Sequence, residues 1–144
     1  MLNLGCGNSE FSERMYDDGY NNMLNIDICE NVIKFMIERN HHREKMICNL
    51  IKKFISLVDV MDVRDLQYDD ESFDVIIDKS TMDALLCGDQ SFLNVAIMTK
   101  EVQRVLKTGG VYIVISYGQP ENRIAHLVRK FNNKIRKGII CHST

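Results

Sequence analysis

The chain has 144 residues, of which 45% are hydrophobic and 26% charged; this is enough to build one core and too apolar for a disordered chain. No apolar run approaches the ~18 residues that span a membrane, so no membrane partner is expected, and the first apolar stretch runs straight into a glycine turn rather than a signal-peptide core. The net charge of −2 is uneven: residues 1–121 hold 12 Lys and Arg and all 20 Asp and Glu, whereas residues 122–144 hold six Lys and Arg and no acid.

That basic tail lacks interleaved aromatics, so it reads as a solvated segment, not a nucleic-acid surface. Cys6, Cys29, Cys48, Cys87 and Cys141 are odd in number and scattered, with no C-x-x-C pair. They are expected to be reduced thiols of a cytosolic or nuclear protein, with the cytoplasm as the expected location. No Cys/His cluster has metal-ligand spacing, and no metal is expected.

In chain order, residues 1–4 read as the end of a first strand, followed by the turn Gly5-Cys6-Gly7. Asn8 or Ser9 can cap a helix with Phe11, Met15 and Tyr16 on one side, ended by Gly19. Residues 23–28 form a second strand, and residues 31–39 a helix with Val32, Ile33, Met36 and Ile37 inward. Ile47, Leu50, Ile51 and Phe54 have the spacing of a short amphipathic helix. Residues 55–61 and 73–78 are the third and fourth strands. A helix starts over 81–86, is interrupted by Gly88, and continues from Ser91 with Val95, Met98, Val102 and Val105 on one face. Thr108-Gly109-Gly110 is expected to close it. Residues 111–116 form a fifth strand and 123–131 a last helix.

Short β-type runs alternating with helices are the signature of parallel βαβ units, and near-continuous apolar strands such as VYIVIS fit a sheet covered on both faces. The expected fold is therefore one α/β domain over residues 1–144: a doubly wound, mostly parallel, Rossmann-like sheet with helices on both faces.

In such a sheet, ligands bind outside the carboxyl ends of the strands. Three of those ends carry suggestive residues. Gly5 and Gly7, with Cys6 and Asn8, let the backbone turn sharply and approach a ligand; a plain strand-to-helix turn would look the same. Asp27, 20 residues after Gly7 and followed by Ile28, has the position and chemistry to take both hydroxyls of a ribose; it could also cap the next helix. Asp62 can take the exocyclic amine of an adenine while the Val63 N–H bonds a ring nitrogen; alternatively Asp62 is an ordinary exposed acid and Arg64 pairs with Asp65. Together these describe an adenosine cleft. A dinucleotide site wants a glycine at residue 10, where this chain has Glu10. A carboxylate there repels a pyrophosphate but tolerates S-adenosylmethionine, which has no phosphate and carries a sulfonium and an amino group.

The chain resembles the class I S-adenosylmethionine-dependent methyltransferases. The resemblance is carried by residues 2–20 (LNLGCGNSEFSERMYDDGY), 25–36 (NIDICENVIKFM), 61–89 and 101–123. Through GCGNS and DKSTMDALL it is similar, more narrowly, to the methyltransferase-like group that includes the elongation factor 1-alpha lysine methyltransferases. This resemblance implies S-adenosylmethionine as cofactor, S-adenosylhomocysteine as product and a protein lysine as acceptor, with a translation elongation factor as partner. It places Gly5 and Gly7 against the methionine part, Asp27 on the ribose, Asp62 and Val63 on the adenine, and Asp78 at the cofactor amino group or the acceptor. Lys79, Ser80 and Thr81 would shape the acceptor side.

The chain also departs from the family pattern. Asn3 stands where the family carries an acid, the N-terminal helices that cover the cofactor have no counterpart, extra residues lie around 47–54, and no closing hairpin is evident after Arg123. A domain truncated at its N-terminus, and by the missing hairpin at its C-terminus, is the expectation.

Methyl transfer is an in-line displacement in which the protein supplies position and electrostatics. A lysine acceptor must be neutral, and Asp78 and Tyr117 are the catalytic candidates for orienting it. Asp83 reads as a helix-face residue, and His41 and His42 as solvated. The main alternative is a weak or inactive methyltransferase-fold binding protein lacking its lid. A nicotinamide oxidoreductase is opposed by Glu10, and a nucleic-acid methyltransferase by the absence of an N/D-P-P-Y motif. An uncovered cofactor face would also suit a homo-oligomer.

Overall fold

The computed structural model describes residues 1–43, 58–128 and 136–141. Six strands, β1 (Leu2–Leu4), β2 (Leu24–Asp27), β3 (Val58–Val60), β4 (Phe73–Lys79), β5 (Leu106–Ser116) and β6 (Arg136–Cys141), form one sheet in the order β3-β2-β1-β4-β5-β6. Every pairing is parallel. The described helices are α1 (Phe11–Asp17), α2 (Glu30–Arg39), α3 (Thr81–Leu86), α4 (Ser91–Val105) and α5 (Pro120–Val128). None is long and apolar enough to cross a membrane.

All three residues of β1 are buried, as a strand covered on both faces requires. On one face Leu2, Leu4, Ile26, Ile76, Tyr112 and Val114 pack with Met82 of α3 and with Val95, Met98, Val102 and Val105 of α4. The four α4 positions expected to share a face do so. On the other face Ile33 and Met36 of α2 pack against Cys6, flanked by Val32 and Ile37.

The α1 side of the sheet is polar. Asn3 Nδ2 donates to Ser12 Oγ and to Asn25 Oδ1, both at 3.0 Å, and the Ser12 hydroxyl donates to Asn25 Oδ1. The buried residues of α1 are Ser12 and Glu13, not the expected stripe of Phe11, Met15 and Tyr16, which is half-buried. This seven-residue helix lies over two buried amides. Ser12 answers these amides, although Asn3 Oδ1 and Asn25 Nδ2 keep no hydrogen-bond partner among the described residues, and Glu13 turns inward to accept from Arg39 Nε and Asn40 Nδ2.

Three boundaries differ from expectation. Helix α4 ends at Val105 and the chain enters β5 directly; Phe73 pairs with Leu106 and Val75 with Val111, so residues 107–110 are accommodated as an irregularity inside the strand. Gly109, at φ +82°, permits that bulge instead of terminating a helix. Helix α5 starts at Pro120, three residues earlier than expected, because a proline suits the first helical position. Strand β6 was not expected at all: the segment RKGIIC carries three basic or glycine positions before its apolar pair, and its charge pattern masked the strand. It runs parallel to β5, with Val111 opposite Arg136 and Ser116 opposite Cys141, so the described sheet has six strands rather than five. The helix expected around residues 47–54, and residues 55–57 of the expected third strand, lie outside the described residues, as do residues 129–131 of the last helix.

Candidate functional site

The carboxyl ends of β3, β2, β1 and β4 open on a cleft of about 410 Å³. A larger groove of about 650 Å³ lies between α4 and α5, lined by Phe92, Val95, Arg123 and His126 among others. It contains none of the strand-end residues, so the smaller cleft is the candidate site.

At the end of β1, Gly5 and Gly7 have φ of +56° and +55°, a left-handed conformation that glycine adopts without strain. A Cβ on Gly5 would lie 2.3 Å from Thr81 Oγ1, whereas one on Gly7 would meet nothing within 4 Å. Gly5 is thus fixed by packing, and Gly7 leaves bare backbone at the cleft. Cys6 between them donates its N–H to Ile26 O at 2.9 Å. Its thiol is buried with Ile33 and Met36 and is pushed up to about 12, first by burial and then by the Asp27 charge. Cys6 therefore offers backbone to the site, not a nucleophile. Asn8, exposed, lines the cleft, and its carbonyl accepts from Arg39 Nη1 at 3.0 Å.

Asp27 ends β2. Its Oδ2 accepts the Gly7 N–H and its Oδ1 the Cys29 N–H, each at 2.9 Å. The carboxylate thus ties the glycine turn to the entry of α2, and each oxygen keeps acceptor capacity for a ligand. The functional and structural readings of this acid coexist. Ile28 is 65% exposed and lines the cleft beside it.

After β3, Asp62 and Val63 both line the cleft. Arg64 clasps Asp62 through Nε to Oδ1 at 3.0 Å, Nη2 to Oδ2 at 2.6 Å and its own N–H to Oδ1 at 2.8 Å. These bonds hold the Asp62 carboxyl below its ordinary range. The partner of Arg64 is therefore Asp62, not Asp65, and Arg64 also donates to Asn94 Oδ1 at 3.0 Å. The Val63 N–H has no hydrogen-bond partner among the described residues.

Asp78 was expected at the reacting centre, and the structure places it elsewhere. It is fully buried and is absent from the cleft wall. Its carboxylate accepts the Thr81 N–H at 2.9 Å, the Met82 N–H at 3.2 Å and the Tyr112 hydroxyl at 3.0 Å. Burial pushes it up to about 6 against those three donors. The strand alternation that brings Asp78 level with Leu4 turns it to the α3–α4 face. Tyr117, the other catalytic candidate, is 71% exposed and outside the cleft wall; its backbone N–H donates to Asp83 Oδ2 at 3.0 Å. Asp83, read as a helix-face residue, lies on α3 and pairs with Arg123 at 2.9 Å. His41 and His42 are exposed. Among the described residues no group of three His, Cys, Asp or Glu side chains gathers as a metal site.

The cleft also includes Arg64, Ala84 and Leu85, which sequence reasoning did not assign to it. The signal for two of them was available: Thr81, Ala84 and Leu85 stand at i, i+3 and i+4 of one helix and share a face.

The chain is similar to known proteins in sequence and in fold. The family model described as a methyltransferase domain matches residues 1–144. The mouse eEF1A lysine and N-terminal methyltransferase is 42% identical over 132 residues, which is 90% of this chain and 17% of that protein. Mouse EEF1A lysine methyltransferase 4 is 32% identical over 134 residues, 88% of this chain and 49% of that protein. The chain thus spans less than half the length of each of these relatives. A solved Pyrococcus horikoshii protein superposes with a TM-score of 0.62 at 25% identity, covering 92% of this chain and 54% of that one. A Methanosarcina mazei S-adenosylmethionine-dependent methyltransferase gives 0.62 at 23% identity, over 89% of this chain and 57% of its own, a likeness of fold. The methyltransferase-domain match over the whole chain and the 42% identity to a curated relative show that the chain belongs to the methyltransferase domain family.

Proposed function

We propose that the chain binds S-adenosylmethionine in the strand-end cleft and transfers its methyl group to a lysine of a protein. The observation that carries this reading is Asp27, whose carboxylate is held by the Gly7 and Cys29 N–H groups at 2.9 Å on the cleft wall. A carboxylate fixed in this way suits a vicinal diol. The unpartnered Val63 N–H suits an adenine ring nitrogen, and the bare backbone at Gly7 suits close approach by the methionyl part. The donor set thus fits the cofactor, with Asp62, Val63 and Ile28 at the base, Asp27 at the ribose, and Gly5 to Asn8 beyond it. The relatives named for eEF1A favour elongation factor 1A as the acceptor protein.

When bound, the cofactor supplies an electrophilic methyl on a sulfonium. The residues of this chain orient it and exclude water on the side of the sheet. Neither Asp78 nor Tyr117 lines the cleft, and the carboxylates that do, Asp27 and Asp62, already accept N–H groups. The two residues expected to orient the lysine thus stand outside the cleft, and what the cleft wall contributes in this reading is position.

The test is thermal unfolding with S-adenosylhomocysteine, using NADH as control. A ligand at about 100 times its Kd adds ~2.7 kcal/mol, which raises Tm by roughly 8 °C in a domain of this size. A rise with S-adenosylhomocysteine alone supports the reading; no rise, or an equal rise with NADH, overturns it. Label transfer from methyl-labelled S-adenosylmethionine to purified elongation factor 1A then separates an enzyme from a protein that binds the cofactor without transferring the methyl group.

A further inference from the structure

We propose that the groove between α4 and α5 docks the acceptor protein, through a segment that carries an apolar anchor and a basic residue near the lysine to be methylated; this rests on the reading above and adds to it the surface that selects the acceptor. In a parallel sheet each crossover leaves the carboxyl end of one strand and returns to the amino end of the next. Phe92, in the first turn of α4, and Glu121, in the first turn of α5, therefore stand at the same edge of the sheet as the cofactor cleft. One short helix separates the groove from the cleft: on α3, Thr81, Ala84 and Leu85 line the cleft and Leu86 lines the groove. A helix is ~10–12 Å across, a distance that about three extended residues span. A segment anchored in the groove thus carries a lysine some three residues along to the mouth of the cleft.

The groove offers an apolar floor and an aromatic anchor point. Leu86, Val95, Ala96 and Ala125 line it. Phe92 is 73% exposed, and its ring stacks on His126 at 5.5 Å, so an aromatic pair bridges the two helices with most of the phenyl surface open. An exposed aromatic beside an apolar pocket is a common anchor of protein interfaces. The charge left over on the groove wall is negative. Arg123 is paired with Asp83 at 2.9 Å. Burial and the Arg123 charge hold His126 below its ordinary range, so its imidazole is neutral at pH 7. Glu121 on the wall and Asp89 in the loop between α3 and α4 are exposed, and their carboxylates have no partner among the described residues. These charges complement a basic segment and disfavour an acidic one. The groove is also preformed: Asp83 of α3 accepts the Tyr117 N–H at 3.0 Å and Arg123 Nε at 3.1 Å, which ties α3, the end of β5 and α5 into one frame.

The experiment measures binding of purified elongation factor 1A to the 144-residue chain loaded with S-adenosylhomocysteine, and to its Phe92→Ala and Glu121→Lys variants. Both positions are exposed and outside the cofactor cleft, so S-adenosylhomocysteine binds the variants as it binds the parent chain. Phe92→Ala weakens elongation factor 1A binding roughly tenfold or more, as loss of an aromatic anchor does. Glu121→Lys weakens it and flattens its dependence on salt. In methyl transfer the same changes raise KM for elongation factor 1A and leave kcat as it was. No binding of elongation factor 1A to the loaded parent chain, binding unchanged in either variant, or an equal loss of S-adenosylhomocysteine overturns the docking surface alone. A dimer of the parent chain in sedimentation that Phe92→Ala dissociates assigns the groove to a second copy and overturns it too. Failure of the parent chain to bind S-adenosylhomocysteine overturns the proposed function and this inference with it.

Discussion

Gly5 and Thr81 are locked together across 76 residues of sequence: the Thr81 hydroxyl donates to Leu4 O at 2.7 Å and occupies the space a Gly5 side chain would need, 2.3 Å from its Cβ position. Through this contact α3 closes against the β1 turn, and the floor of the cleft is set by two small groups. Gly5→Ala is expected to destabilise the chain by about 3 kcal/mol, combining left-handed strain with overpacking. Chemical denaturation measures it. In a double-mutant cycle Thr81→Ala recovers the overpacking part and leaves the strain; full additivity of the two changes would contradict the contact.

Asp27 has structural work as well as a ligand role. Asp27→Ala removes the acceptor of the Gly7 and Cys29 N–H groups. It is expected to cost about 2 kcal/mol of stability in addition to cofactor binding. Asp27→Asn keeps one acceptor oxygen but sets its NH2 against the other of these two N–H groups, so it also loses stability. Isothermal titration under conditions where both chains are folded should show S-adenosylhomocysteine weakened by at least about tenfold in Asp27→Asn; unchanged affinity would contradict the ribose assignment.

Ser80 holds φ +68° at the rim of the cleft. A left-handed non-glycine residue costs ~1–2 kcal/mol, offset in part by the greater unfolded-state freedom of glycine. Ser80→Gly is expected to stabilise the chain by about 0.5–1 kcal/mol, seen as a Tm rise of a few degrees. A fall in Tm would mean that the serine side chain contributes more than the strain removes.

Burial raises Asp78 to about 6 from an ordinary value of 3.8. Below pH 4 this carboxyl is protonated in both folded and unfolded chains. Between pH 4 and 6 the unfolded chain loses the proton first, so the native state becomes relatively less stable as pH rises. The whole effect is on the order of 3 kcal/mol. Asp78→Asn lacks this titration, so the stability of the parent chain relative to the variant should decline from pH 4 to pH 7 in denaturation curves. A pH-independent difference would show that Asp78 stays ionised in the fold.

The features legible in the sequence share one property: their cause is local. The Gly5-Cys6-Gly7 turn follows from a conformation glycine adopts without strain. Asp27 follows from the length of one βα unit, and the inner faces of α2 and α4 follow from helical spacing. The parallel α/β class follows from the alternation of such units. Local pattern was weaker where charge and periodicity pulled apart. RKGIIC reads as a basic tail until Ser116 and its neighbours are known to need a strand beside them.

What the amino-acid order alone could settle was thus the fold class, the glycine turn and the acid 20 residues beyond it. Only the folded chain decided that Asp78 faces Tyr112, 34 residues away, and is absent from the cleft wall. It also decided that Arg64 closes on Asp62, and that Lys79 is left uncommitted at the end of β4. The physical reason is that burial, ion pairing and desolvation belong to the surfaces that meet when strands assemble, and no spacing along the chain specifies which charges that meeting neutralises.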